Sequence, residues 1–301
     1  MYEKKTKNFL LKHLQYSWLR PENALINTMR SSSLLSVPLQ AADKAIDVSC
    51  GDGVSSFIAY GGALNPQNDM FQSMNVDVTR QPDKDHFDNF DAVNFKVEVI
   101  EQPSSFFDTG TDWKDSMLGR AGCLNAYKNL IQHDNNQEMN FSDESFSYIY
   151  TNSIYWVDEI ERHFDDLSRI CQKDGLILLH VKTPTMFTYH ASHFASMFGN
   201  KFAEIINAGR HGSYKGLLTL DEYLQLGKKK TELSTEAVIP VFDDVVGKIW
   251  DIGLRPLFPP LYKMTQHIPK NELFEIKKEW VQRLYDLLEE FACGHKPDAE
   301  K

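Results

Sequence analysis

The chain has no C-x-x-C pair: Cys50, Cys123, Cys171 and Cys293 lie scattered along its 301 residues. That spacing excludes the disulfide framework of a small secreted domain and a zinc knuckle, and it implies reduced thiols. Long uncharged apolar runs are missing too. The opening MYEKKTKNFLLKHLQYSW is charged and amphipathic, so neither a secretory signal nor a membrane span is expected, and a cytoplasmic setting follows. Positive charge is in deficit, with 42 acidic against 32 basic residues and a net charge of -10. A nucleic-acid backbone would meet mostly repulsion, and the one lysine run, Lys228 to Lys230, reads as the solvated end of a helix. His190 and His193 stand three apart on one helical face but lack a carboxylate motif, so no metal site is expected. Repeats, low-complexity tracts and flexible linkers are absent as well. What remains is a globular chain with a small-molecule or protein partner.

What is present is a strand, glycine turn and helix. KAIDVS is a short apolar strand, Gly51 and Gly53 follow at once, and VSSFIAY is a helix that runs out at Gly61 and Gly62. Two glycines one residue apart let the backbone turn sharply and approach a ligand, while the next helix presents free N-H groups to an anion. Gly51-x-Gly53-x-x-Ser56 falls one residue short of the dinucleotide fingerprint, so a nicotinamide or flavin oxidoreductase, with its ribose acid near Asp69, is a rival reading.

Helical spacing covers residues 3 to 18 and 22 to 35, with Pro21 between them. MFQSMNVDVT and AVNFKVEVI alternate apolar and polar residues and predict a hairpin with a long polar loop. FFDTGTDW is a strand ending in an aspartate, followed by a helix with Met117, Leu118, Ala121 and Leu124 on one face. NLIQHDNN and SFSYIYTNSIYWV are further strands, residues 158 to 172 a helix, and GLILLHV an apolar strand of the kind buried on both faces. TPTMFTYHASHFASMF and LTLDEYLQLGKKK read as helices, EAVIPVF as a strand, and residues 271 to 292 as a final amphipathic helix. Strands alternating with helices predict a doubly wound, mostly parallel α/β sheet.

Asp47-Val48-Ser49-Cys50-Gly51-Asp52-Gly53 resembles the first motif of class I S-adenosylmethionine-dependent methyltransferases, and later segments follow in the family's order. TGTDWKDSMLGRAGCLNAY is similar to its second strand with an acidic end, and LIQHDNNQEMNFSDESFSYIY to its third-strand aspartate, loop and fourth strand. TNSIYWVDEIERHFDDLSRICQKDGLILLHV is similar to the fourth-strand end, helix and fifth strand of the small-molecule branch. The match spans roughly residues 42 to 182; it is specific for the cofactor and not for the substrate.

The resemblance implies a Rossmann-like methyltransferase core over residues 42–242, with an insertion at about 63–108, an N-terminal helical lid over 1–41 and a C-terminal helical cap over 243–301. It implies S-adenosylmethionine as cofactor: Gly51 and Gly53 beside the methionine part, with Ser49 and Cys50 in the turn and Asp47 holding the ammonium directly or through it. Asp112 would take the ribose hydroxyls, with Met117 on the following helix. Trp113 would lie against adenine, and Asp134 with Asn135 would serve its amine. Asn152, Ser153, Tyr155 and Trp156 would line the opening toward a small-molecule acceptor of methyl at O or N. Ser49 stands where the family has its first glycine, and an alternative register would make Asp77 the ribose ligand.

For substrate contact or a general base the candidates are Tyr155, His180, His211 and Tyr214. Arg20-Pro21-Glu22 suits a lid, and WDIGLRPLFPPLYKM suits the wall of an apolar pocket. A third reading, a non-catalytic S-adenosylmethionine-binding protein, would use the insertion as a homodimerisation arm.

Overall fold

In the computed structural model of the chain, the structure describes residues 2–37, 39, 44–72, 74, 87, 92–189, 195–202, 216–231 and 233–297. Asp77, His190, His193, His211 and Tyr214 lie outside the described residues. The chain begins with helices α1 (Tyr2–Tyr16) and α2 (Pro21–Leu34), the second starting on a proline whose missing N-H costs nothing at a first turn. Strand β1 (Ala45–Val48) then enters the glycine turn, and α3 (Val54–Ala59) leaves it. Strands β4 (Thr109–Asp112), β5 (Asn129–Gln132), β6 (Phe146–Thr151) and β7 (Cys171–Leu179) follow, with α4 (Asp115–Gly122) after β4 and α5 (Ile160–Ile170) after β6.

These five strands form one all-parallel sheet in the order β5-β4-β1-β6-β7. By position in the chain this is 3-2-1-4-5, the doubly wound Rossmann order, with its switch point between β1 and β6. Asp112 ends the strand beside β1, whose register pairs Ile46 with Thr109 and Val48 with Thr111. That register puts the strand ending at Asp112 directly beside β1.

Alternation along the strands divides the core. Ile46, Val48 and Ile149 face α5 through Leu167 and Ile170, whereas Ala45, Tyr148 and Tyr150 face Leu34 of α2 and Ala59 of α3. A larger cluster joins α1, α2 and α3 to the C-terminal helices, through Leu10, Leu14, Leu25, Phe57, Leu284 and Leu288.

Four expectations change. GLILLHV is a half-buried strand rather than one covered on both faces; among the described residues β7 pairs with β6 alone, and it starts at Cys171 directly after α5. The hairpin forms from β2 (Ala63–Leu64) and β3 (Val99–Glu101), so Met70 and Phe71 lie in a turn; AVNFKVEVI is a strand only at its end. EAVIPVF forms no strand: Pro240 has no N-H to donate, and Val238 and Ile239 are exposed. TPTMFTYH starts as a 3-10 turn, Pro184–Thr188, and α6 is short (Ala195–Phe198).

The remaining helices are α7 (Leu220–Thr231), α8 (Asp244–Lys248), α9 (Phe258–Thr265) and α10 (Lys270–Gly294), with a π-helical segment, Ile249–Leu254, after α8. Among the described residues no helix is long and apolar enough to cross a membrane.

Candidate ligand site at the switch point

The glycine turn is built on left-handed backbone. Ser49, Gly51 and Gly53 have φ of 60°, 61° and 73°. A serine at the first of these carries strain of about 1 kcal/mol or more, which its surroundings must hold. They do so from two sides: Nδ2 of Asn135 donates to Ser49 Oγ at 2.8 Å, and Cys50 N donates to Thr111 O at 2.7 Å. Asn135 follows β5, so its bond carries the third strand's end onto the first strand's turn. Its Oδ1 is buried without a hydrogen-bond partner.

Asp112 closes the same turn from β4. Its Oδ2 accepts from Gly51 N at 3.0 Å and its Oδ1 from Lys114 N at 2.9 Å. Burial raises its pKa, and the two N-H donors oppose the rise. A carboxylate offers about four lone-pair sites, so two remain for a ligand. Next to it Trp113 is 60% exposed, with the Lys114 ammonium 5.0 Å from its ring centroid. Asp134 is exposed and accepts from Asn136 N at 2.9 Å in a local turn.

Asp47 sits underneath the turn. It is 1% exposed, and Oδ2 accepts from Ser56 Oγ at 2.6 Å and Tyr127 OH at 2.9 Å. Burial raises its pKa to about 6, against the pull of the two hydroxyl donors, and Oδ1 has no partner. A group that braces the turn from below acts on a ligand through the turn's backbone. Gly53 is fixed by the same brace, since a Cβ there would lie 2.7 Å from the Tyr127 ring. Met117 packs beside Gly51, and the Cys50 thiol is pushed up by burial and by Asp47, which makes it a poor nucleophile. From α1, Tyr16 OH donates to Asp52 Oδ2 at 2.6 Å, so the N-terminal helix holds the turn's outer carboxylate.

At the end of β6 a directed chain of hydrogen bonds begins. Ser33 Oγ donates to Arg30 O at 2.8 Å, so it can only accept from His180 Nε2, 2.6 Å away. His180 is therefore the Nε2-H tautomer, and its Nδ1 accepts from Tyr150 OH at 3.0 Å; Asn152 Nδ2 donates to that hydroxyl at 3.3 Å. Burial, then the charge of Arg30, lowers the His180 pKa to about 3. With both nitrogens engaged and so low a basicity, His180 holds Asn152 in place and is a poor general base. Ser153 lies beside Thr151 Oγ1, 3.3 Å away, and Tyr155 and Trp156 follow in a 3-10 turn.

The expected residues on β1, β4, β5 and β6 thus come together at the carboxyl ends of adjacent strands, where ligands bind in open α/β sheets. Asp69 does not join them: its Oδ2 accepts from Trp18 Nε1 at 3.0 Å and Lys277 Nζ at 3.2 Å. The reading that needed a ribose acid there loses its residue. Sequence reasoning missed Tyr127, which ends the second-strand motif segment in the loop before β5, and Tyr16 and Arg30, which reach the site from α1 and α2; a lone Tyr or Arg gives no signal of its own.

No family model matches the sequence, and no curated protein does. Solved structures similar to this chain include S-adenosylmethionine-dependent methyltransferases of the class I fold. One from Thermotoga maritima is 14% identical, with 76% of this chain and 80% of that one covered and a TM-score of 0.39. Another, from Mesorhizobium loti, is 13% identical over 55% of this chain and 57% of that one, with a TM-score of 0.34. A third, from Aquifex aeolicus, is 12% identical over 49% and 60%, with a TM-score of 0.31.

Proposed function

We propose that the chain is an S-adenosylmethionine-dependent methyltransferase acting on an O or N atom of a small molecule. One observation carries the reading: the Asp112 carboxylate, at the end of the second parallel strand, is tied to Gly51 N of the left-handed turn and keeps acceptor capacity for a ribose diol. The residues present fit the cofactor. Asp112 would hold both ribose hydroxyls by charge-assisted bonds, the exposed Trp113 ring would cover one face of adenine, and Asp134 would accept from its amine. The turn's backbone, braced by Asp47, would receive the methionine end.

When bound, the cofactor supplies an activated methyl group on a sulfonium. The chain's own task is positioning. Holding acceptor and methyl carbon in line and excluding water can lower the barrier by about 7 to 11 kcal/mol at best. Asn152, held by the Tyr150 and His180 relay, and Ser153 would form the near wall of that space, with α2 above it.

The test uses labelled cofactor with a panel of hydroxyl, amine and thiol acceptors. Label transfer and release of S-adenosylhomocysteine support the reading, both being reduced at least a hundredfold in Asp112→Ala. Binding of S-adenosylhomocysteine with no transfer to any acceptor would favour a non-catalytic binding protein.

A further inference from the structure

The hydrogen bonds at the end of β6 run in one direction, and that direction decides what Asn152 can offer a bound molecule. The Ser33 hydroxyl gives its proton to Arg30 O, so His180 donates to it through Nε2 and accepts from Tyr150 OH through Nδ1. The Tyr150 hydroxyl, its one proton committed to His180, can only accept from Asn152, whose Nδ2 lies 3.3 Å away. This network fixes which branch of the amide is which. The carbonyl oxygen Oδ1 is the branch turned away from Tyr150, on a half-buried side chain, and it makes no hydrogen bond among the described residues.

The strand register places that oxygen. Val48 pairs with Thr111 of β4 on one side and with Thr151 of β6 on the other, so Asp112, Ser49 and Asn152 each come one residue further on in neighbouring strands. Adjacent strands lie about 4.7 to 4.9 Å apart, which puts the Asp112 and Asn152 backbones about 10 Å apart with the glycine turn between them. With the ribose assigned to Asp112 and the methionine end to the turn, Asn152 stands on the opposite flank, the side left for the molecule that takes the methyl group.

An amide carbonyl accepts a hydrogen bond but does not take a proton. A hydroxyl must give up its proton as it attacks, and His180 is closed to that role, with both nitrogens engaged and a pKa lowered to about 3 by burial. A neutral amine attacks with its own lone pair and keeps its N-H through the transfer, so the N-H can rest on Oδ1 while the lone pair faces the methyl carbon.

We propose that the methyl acceptor is a primary or secondary amine, bound neutral with an N-H donated to Asn152 Oδ1, and that Tyr150 and His180 are positioning residues that keep that oxygen turned toward it. The nitrogen lone pair forms the new N-C bond, the S-C bond breaks with its electron pair going to sulfur, and the product ammonium releases its proton to water. The identity of the acceptor rests on the methyltransferase reading; the direction of the hydrogen-bond relay does not.

The test measures label transfer from methyl-labelled cofactor to matched pairs: benzylamine with benzyl alcohol, cyclohexylamine with cyclohexanol, and aniline with phenol. Calorimetry with S-adenosylhomocysteine accompanies each variant. Transfer is expected to amines at least a hundredfold above the alcohol of the same skeleton, rising with pH toward each amine's own pKa. Tyr150→Phe and His180→Leu should each lower kcat/KM for the amine at least tenfold and leave S-adenosylhomocysteine affinity within twofold. His180→Asn, which still accepts from the Tyr150 hydroxyl, should recover most of the loss. Transfer to alcohols in preference to amines, absence of transfer to every amine while S-adenosylhomocysteine binds, or full amine transfer in both Tyr150→Phe and His180→Leu would overturn the proposal. If S-adenosylhomocysteine does not bind at all, the methyltransferase reading fails and takes the amine with it, a result that calorimetry separates from the others.

Discussion

A left-handed serine in a ligand-binding turn is a local cost that something must offset. Ser49 has φ of 60° and is held by Asn135 through its hydroxyl. Ser49→Gly should relieve the backbone and lose one hydrogen bond, leaving the unfolding free energy within about 1 kcal/mol of wild type. Ser49→Val keeps the strain, adds a β-branch and removes the acceptor, and should cost about 2 to 3 kcal/mol in urea denaturation. Asp47 offers a second test at this scale. Its folded pKa of about 6 exceeds the unfolded value near 3.8, so the folded state holds the proton between those limits. Stability from this group is therefore greatest below about pH 4 and falls by roughly 3 kcal/mol as pH rises to 6. Asp47→Asn, which cannot ionise, should gain on wild type across that window and keep the gain above it. A stability difference between the two that does not vary from pH 4 to 7 would show that Asp47 is not buried as described.

At the scale of elements, the C-terminal helix is anchored by a charge far from its own sequence. Lys277 on α10 donates to Asn68 O at 2.9 Å and pairs with Asp69, and Trp280 Nε1 donates to Trp18 O at 3.0 Å. Lys277→Met should cost about 3 to 5 kcal/mol, because Asp69 is left buried and uncompensated; adding Asp69→Leu should restore much of the loss. Chemical denaturation of the two variants decides this. Helix α7 carries a capping box in which Thr219 Oγ1 accepts from Glu222 N at 3.3 Å and Glu222 accepts from Thr219 N at 2.7 Å. The sequence shows that pairing directly, as it shows β1, β4, β5 and β6 with their aspartates and asparagines, since period-two and glycine-turn signals are local. The errors lie where pairing is nonlocal. EAVIPVF has a strand's composition but pairs with no strand among the described residues, and GLILLHV has a central strand's apolarity but, among the described residues, pairs on one side only. Arg30 escaped notice for the same reason: its meaning comes from α2 lying over the ends of β6 and β7.

For the whole molecule, three imidazoles buried neutral set the response to acid. Burial lowers His13 and His180 to about 3 and His163 to about 4. In each, the unfolded chain takes up a proton near pH 6.5 that the folded chain refuses until far lower, so their stabilisation is complete above pH 6.5 and is lost as pH falls toward 3. Together they amount to several kcal/mol, more than Asp47 returns, and the urea midpoint should fall steadily below pH 6. Strands β1, β4 and β5 and helix α1 converge on one turn, through Asp47, Asp112, Asn135 and Tyr16. That convergence underlies the claim that the switch point receives S-adenosylmethionine. The most direct test is calorimetric titration of the intact chain with S-adenosylhomocysteine and, separately, with NAD. Binding of S-adenosylhomocysteine that weakens at least a hundredfold in Asp112→Ala, with NAD inert, is the predicted result; binding of NAD alone would contradict it.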